Sequence, residues 1–218
     1  MVISGLAVRT GPEAVVIVAA RPLRVLSSAV HGGGLASARA AVNLHVDKDD
    51  PCADPAGTLA AYAHNAGLPE PFVGLLTGAW TEHATVGGED GAGSAALPVA
   101  TVGLSNRIAA GRTPVSGGAH GTINTIVVVD ADPGSSAPVN AVITVTEVKA
   151  LLLHEAGVRD VAGGPVSGTS TDAVVIAATG RGASARFGGP ASELGWSIAQ
   201  AARRALWAGI RSRQERNG

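Results

Sequence analysis

Gly121-Thr-Ile-Asn-Thr-Ile-Val-Val-Val-Asp130 decides how this chain is read. Its second half, Ile126 to Val129, is an unbroken β-branched run, the pattern of a strand covered on both faces. Its first half is Gly plus the small polar residues Thr122, Asn124 and Thr125. Hydroxyls and a carboxamide at the entry to a core strand bring hydrogen-bonding groups to a place where burial is costly without partners. The same pattern recurs at Gly168-Thr-Ser-Thr-Asp172, which leads into Ala173-Val-Val-Ile-Ala177. Two polar strand mouths of one kind predict one shared site. The plain alternative is a pair of Gly-Thr turns ahead of two strands.

Around this stretch the 218 residues read as one domain, 1–218. Apolar residues make up 46% and charged residues 15%, enough for a sizeable core. Aromatics are only 3%, so that core must be Ala, Val, Leu and Ile. The 16 basic residues include just two lysines, Lys48 and Lys149. A net charge of −1 leaves no electrostatic footprint for nucleic acid. The basic cluster from Arg203 to Arg216 ends a predicted helix, where it suits the helix dipole. Cys52 is the single cysteine, so there is neither a disulfide framework nor a Cys-rich metal site. No run reaches the roughly 18 apolar residues of a membrane-spanning helix. The expectation is a soluble cytoplasmic protein.

In chain order, strands are predicted at Ala14–Ala20 and Leu23–Val30, separated by a turn at Arg21-Pro22. A further strand is predicted over Ser37–Val46. Gly32-Gly-Gly34 lies between them and can bring backbone N–H groups close to a ligand. A short helix follows at Pro55–Gly67, with Asp54 as N-cap. Phe72–Thr77 is a strand; Glu82–Val86 and Leu97–Ser105 form a hairpin around Gly87–Gly93. Gly111–Gly118 reads as a mobile lid or a plain connection. A long helix runs from Ser136-Ala-Pro138 to Gly157. One face carries Val142, Val145, Leu152 and Ala156; a polar stripe carries Asn140, Thr144, Glu147 and His154. A last helix spans Pro190 to about Ile210.

Several signatures are absent: a Gly-x-Ser-x-Gly elbow, a phosphate-binding Gly-Lys-Ser/Thr loop, and a Gly-x-Gly-x-x-Gly turn. The six histidines (31, 45, 64, 83, 120 and 154) show no metal-ligand spacing. What remains is a set of neutral polar side chains at strand ends: Ser27, Ser28, Asn43, Thr77, Ser105, Asn106, Thr122, Asn124, Thr169 and Thr171, with Asp172. Strand ends collect ligand contacts. Such groups suit a ligand rich in neutral amides and do not suit phosphate.

An ordered set of motifs gives this a family context. Arg24-Val-Leu-Ser-Ser-Ala29 with Gly32-Gly-Gly34, Asn43, Val46-Asp-Lys48, Val73-Gly-Leu-Leu-Thr77, Thr101-Val-Gly-Leu-Ser-Asn106, Gly121–Asp130, Val139-Asn-Ala-Val-Ile-Thr-Val-Thr-Glu147 and Gly168–Ala173 resemble the adenosylcobinamide amidohydrolase family (CbiZ). The match runs from about Arg24 to Trp207. Two small departures are the length of the Gly111–Gly118 loop and Ser170, where Thr is common.

The resemblance implies hydrolysis of the amide that joins the corrin ring to the aminopropanol arm of adenosylcobinamide. The products would be adenosylcobyric acid and 1-amino-2-propanol, in a salvage route of cobalamin (vitamin B12) biosynthesis. No cofactor or metal is expected, because the corrinoid substrate carries its own cobalt; nor is a nucleic-acid or membrane partner. A homo-oligomer stays open. A non-catalytic corrinoid carrier or sensor is the alternative.

Amide hydrolysis needs a nucleophile, a proton donor for the leaving amine and stabilisation of the oxyanion. Ser28, Thr171 or a water are candidate nucleophiles, and Asp172 and Glu147 candidate acid or base. Asn124, or backbone N–H groups around Gly32–Gly34 or Gly168, are candidate oxyanion donors. Ser27, Asn43, Thr77, Ser105, Asn106, Thr122, Asn124 and Thr169 are candidate substrate-binding residues. The predicted fold is α+β: a mixed, largely antiparallel sheet system with about three helices that follow groups of strands. A doubly wound α/β sheet is the alternative.

Overall fold

The computed structural model describes residues 3–47, 52–87, 89–91, 94–114, 121–182 and 184–216. The strands are β1 (Leu6–Thr10), β2 (Ala14–Ser27), β3 (Gly34–His45), β4 (Phe72–Thr77), β5 (Thr85–Val86), β6 (Glu89–Gly91), β7 (Ser94–Val102), β8 (Arg107–Ile108), β9 (Ile123–Val129), β10 (Asp132–Pro133), β11 (Gly168–Thr169), β12 (Ala173–Ala178) and β13 (Ser184–Ala185). The helices are α1 (Pro55–Asn65), α2 (Ala137–Glu155) and α3 (Glu193–Glu215), with one 3-10 turn at Thr81–His83.

The main sheet runs β4-β3-β2-β12-β9-β7-β5, with β1 added to β2 and β6 to β7. Only β3/β4 and β12/β9 are parallel within it; the remaining neighbours are antiparallel. This is the α+β mixed sheet, and its antiparallel neighbours rule out the doubly wound alternative. Two small ribbons stand apart, β10 with β13 and β11 with β8.

The sheet folds on itself, because its apolar residues point to two sides along most strands. One cluster packs Val15, Ile17, Ala41, Val73 and Leu75 against Val99, Ile126, Val128 and Val175. The β2-β3-β4 half therefore faces the β12-β9-β7 half. A hydrogen bond from Asn124 Nδ2 of β9 to the Leu76 carbonyl of β4 joins strands four places apart in the sheet order. Outside the first half, Leu59 and Ala63 of α1 cover Val42, Leu44 and Phe72. Outside the second, α2 and α3 cover Val102, Ile123, Val127 and Ile176. The strands β9 and β12 are thus buried on both faces, as their continuous Val/Ile runs require.

Two strand expectations need correction. Arg21-Pro22 does not end a strand: β2 continues through it, with a register shift against β3 between Val18 and Leu23. Proline lacks a ladder donor, and an exposed bulge is a place where none is needed. The hairpin begins with the 3-10 turn, followed by the short β5; its long arm, β7, starts at Ser94 and stops at Val102. Gly88, Ala92 and Gly93 of its expected turn lie outside the described residues, as do Lys48, His120 and 115–118 of the lid candidate.

The helices follow their signals. The Asp54 carboxylate accepts from Gly57 N–H at the start of α1. Gly67 and Gly157, at positive φ, end α1 and α2. Among the described residues, no helix is long and apolar enough to cross a membrane.

Candidate active site

The two polar mouths lie side by side because β9 and β12 are parallel neighbours, with Ala173 opposite Asn124. β2 is antiparallel to β12, so its end at Ser27 lies opposite Val175. β4 approaches from the facing half of the sheet. Ser28, Thr77, Thr122, Asn124, Thr171 and Asp172 consequently line one cavity of about 350 Å³.

Asp172 is held on every side. Oδ1 accepts from Ile123 N–H (2.9 Å) and from the Thr169 hydroxyl; Oδ2 accepts from Thr169 N–H (3.0 Å) and from Lys149 Nζ. Lys149 projects from α2, and sequence reasoning missed it. Its signal was available: it sits between Val145 and Leu152 on the buried face of α2, in a chain with two lysines. A charge on an apolar stripe calls for a buried partner. With both oxygens taken, the Asp172 carboxylate has no vacant site from which to accept a proton from substrate or water. In this geometry it shapes the Thr169–Asp172 turn.

The hydroxyls are differently placed. Thr122 and Thr171 Oγ1 atoms are 2.7 Å apart. The Thr171 hydroxyl donates to the Gly121 carbonyl at 3.2 Å, so Thr122 is the donor to Thr171. Thr171 is exposed and Thr122 is buried. Ser28 Oγ accepts from Val174 N–H (3.1 Å), while Ser28 N–H donates to the Val174 carbonyl (3.1 Å), continuing the β2/β12 ladder.

Asn124 is structural in its contacts. Its Nδ2 donates to Asn43 Oδ1 and to the Leu76 carbonyl, each at 2.9 Å, and its Oδ1 accepts from Ala173 N–H at 3.2 Å. Asn43 Nδ2 continues to the Thr101 hydroxyl at 2.9 Å. Both amide hydrogens of Asn124 are spent, which leaves none for an oxyanion.

Thr77 lines the first cavity, and the remaining expected residues lie outside its lining. Thr77 Oγ1 accepts from Ala79 N–H (3.1 Å), and Ser27 Oγ from Ala29 N–H (3.4 Å). Asn106 donates to the Ser170 hydroxyl, linking the loop before β8 to that before β12. Ser105 lines a second cavity, described below. Glu147 is exposed on α2 and does not line the first cavity. Its stripe partner Thr144 is buried and donates to the Gly188 carbonyl. Among the described residues, no group of three or more His, Cys, Asp or Glu is arranged to hold a metal ion.

A family model described as adenosylcobinamide amidohydrolase matches residues 2–218, and the chain belongs to that family of enzymes. No curated protein matches. Among solved structures, a protein of Pyrococcus horikoshii OT3 is similar at 11% identity and a TM-score of 0.46, over 96% of this chain and 79% of that one. A β-aminopeptidase of Burkholderia sp. is similar at 11% identity and a TM-score of 0.42, over 96% and 80%.

Proposed function

We propose that this amidohydrolase cleaves the amide between the corrin ring and the aminopropanol arm of adenosylcobinamide. Water adds across the C–N bond: its oxygen joins the carbonyl carbon and its protons leave with the amine. The products are adenosylcobyric acid and 1-amino-2-propanol, which places the enzyme in salvage of incomplete corrinoids. The family match supports the reaction class. The observation that carries the reading is the cavity itself, where neutral hydroxyls and one carboxylate meet at the ends of β2, β4, β9 and β12.

Within it Thr171 is our choice for the nucleophile. It is the exposed member of a hydroxyl pair that joins the two polar strand mouths; its oxygen accepts from Thr122 and keeps a second lone pair. Attack of Oγ1 on the amide carbon would give an ester, the hydroxyl proton would pass to the departing nitrogen, and water would then cleave the ester. Thr122 would steady the attacking oxygen, and Lys149–Asp172 would hold the turn that carries it. The shared corrinoid would be the one small-molecule partner, and its cobalt belongs to the substrate.

The test is incubation of the purified protein with adenosylcobinamide and chromatography of the products. Adenosylcobyric acid and free aminopropanol in equal amounts are expected. Binding with a change in the visible spectrum but without turnover would make the protein a corrinoid carrier instead.

A further inference from the structure

The reacting cavity, about 350 Å³, accounts for an amide and its immediate neighbours, so most of a corrin macrocycle must lie outside it. A second cavity of about 410 Å³ opens directly beside it. The two meet at Gly78, which lines both. A wall without a side chain leaves room for one ligand to extend from one cavity into the other.

The second cavity contains an aromatic platform. Trp80 keeps 58% of its surface exposed. Its indole stacks on the imidazole of His45, centroids 4.7 Å apart and planes 23° apart. His45 Nδ1 donates to the Ala79 carbonyl at 3.0 Å; a carbonyl can only accept, so the proton is on Nδ1. His45 closes β3 and Ala79 follows β4, so two adjacent strands fix the imidazole and the imidazole fixes the indole. A large, half-exposed apolar ring held at low conformational freedom offers a packing surface to an apolar ligand. Around it Ser105 and Arg216 line the same cavity; Ser105 brings a hydroxyl, and Arg216, which donates through Nη1 to the Ser212 hydroxyl, brings further guanidinium N–H groups. Carboxamide oxygens at the edge of a macrocycle are acceptors that match them.

We propose that this second cavity receives one edge of the corrin macrocycle, with Trp80 as the platform it packs on, while the rest of the ring stays outside and the scissile arm reaches past Gly78 to Thr171. The inference rests on the amidohydrolase reading and extends it to the part of the substrate remote from the reacting bond. Trp80 is a specificity-determining residue on this view, and it acts through binding.

The experiment pairs turnover with calorimetric binding of adenosylcobinamide for wild type, Trp80→Ala, Trp80→Phe and, as a control on the exposed start of α3, Trp196→Ala. Trp80→Ala is expected to raise both KM and Kd about tenfold or more, the scale of one lost aromatic stack with its buried area. Its kcat should stay within about threefold, since Trp80 touches no reacting group. Trp80→Phe should recover most of the affinity, and Trp196→Ala should match wild type. An unchanged Kd in Trp80→Ala overturns the platform and leaves the amidohydrolase reading standing. Wild-type binding without turnover removes that reading, and the Kd comparison alone then decides the platform. Neither binding nor turnover in folded wild type overturns both.

Discussion

Lys149 Nζ lies 2.5 Å from Asp172 Oδ2, and each of these side chains keeps only 10% of its surface exposed. This contact bolts the middle of α2 to the loop that delivers Thr171. Two consequences follow from its burial. The pair is well satisfied, since Asp172 also accepts from Ile123, Thr169 N–H and the Thr169 hydroxyl. Either member alone would be an uncompensated charge.

Asp172→Asn and Lys149→Met should therefore each cost about 3–5 kcal/mol, the usual penalty for breaking a buried pair from one side. For a chain of this size that is a fall in melting temperature of roughly 10 °C or more. Combining the two changes should restore part of the loss, because the double variant leaves no lone charge. Thermal unfolding of the three variants checks this. Losses under about 1 kcal/mol in the singles would mean that the contact is not held in solution.

Thr171→Val removes the hydroxyl at the cavity surface and little else. Thr171 is exposed, but its oxygen is the acceptor for the buried Thr122 hydroxyl, so stability should fall by about 1–3 kcal/mol. If its oxygen attacks the amide, turnover should fall by roughly 10²-fold or more, while Thr171→Ser keeps measurable activity. Equal loss in Val and Ser variants would point to packing of the threonine methyl instead. Full activity in Thr171→Val would pass the role to Ser28 or to water.

Glu147→Gln should leave both rate and melting temperature close to wild type. Its carboxylate is exposed on α2 and away from the lining of the reacting cavity. A rate loss of tenfold or more, measured with saturating substrate, would return Glu147 to the mechanism.

The strands that build the site were legible because β-branched runs have few other stable arrangements than a doubly covered strand. The two mouths at Thr122 and Thr171 could be paired from sequence because they share a pattern, and parallel neighbours bring like ends together. What was hidden depends on contacts between distant positions. The Lys149–Asp172 pair spans 23 residues and Asn43–Asn124 spans 81. Both tie a candidate site residue to a partner that the sequence alone does not pair with it. The polar stripe on α2 misled for a related reason. The helix is covered by β12 on one side and α3 on another, so Thr144 is buried while Glu147 is not. His45 and Trp80 are unremarkable residues until β3 and β4 lie side by side.

An ion pair between α2 and α3 gives a pH signature. Glu155 Oε2 accepts from Arg203 Nη2 at 2.7 Å. That hydrogen bond is the main cause that holds the Glu155 carboxyl below its ordinary range; desolvation opposes it, and the charges of Arg203 and His154 add smaller lowering effects. A lowered folded-state pKa adds stability that is present above the unfolded value and lost as pH falls through the folded one. The stability gap between wild type and Glu155→Gln should thus be open near pH 6 and should close as the pH drops below about 4. The pair is at the surface, so added salt should narrow the gap as well. Melting curves at several pH and salt values measure it, and a gap that widens on acidification would contradict the assignment.

Asn124 offers the sharpest separation of structure from chemistry. It is 1% exposed, and its side chain makes three hydrogen bonds that join β9 to β3, β4 and β12. Asn124→Leu is close in volume but removes every one of them. It would strand Asn43 Oδ1, the Leu76 carbonyl and the Ala173 N–H in the interior, and each buried orphan costs about 1–3 kcal/mol. A loss of several kcal/mol or failure to fold is expected. Asn124→Asp keeps the acceptor for Ala173 N–H and gives up the two donors, so the facing halves of the sheet lose their link at this end. Its melting temperature should fall, while kcat of the folded fraction at low temperature should stay within about tenfold, because the amide hydrogens are already engaged by Asn43 and Leu76. A kcat loss of about 10²–10³-fold with little change in stability is the scale of a missing oxyanion donor. That outcome would show that Asn124 releases one of these partners for the substrate.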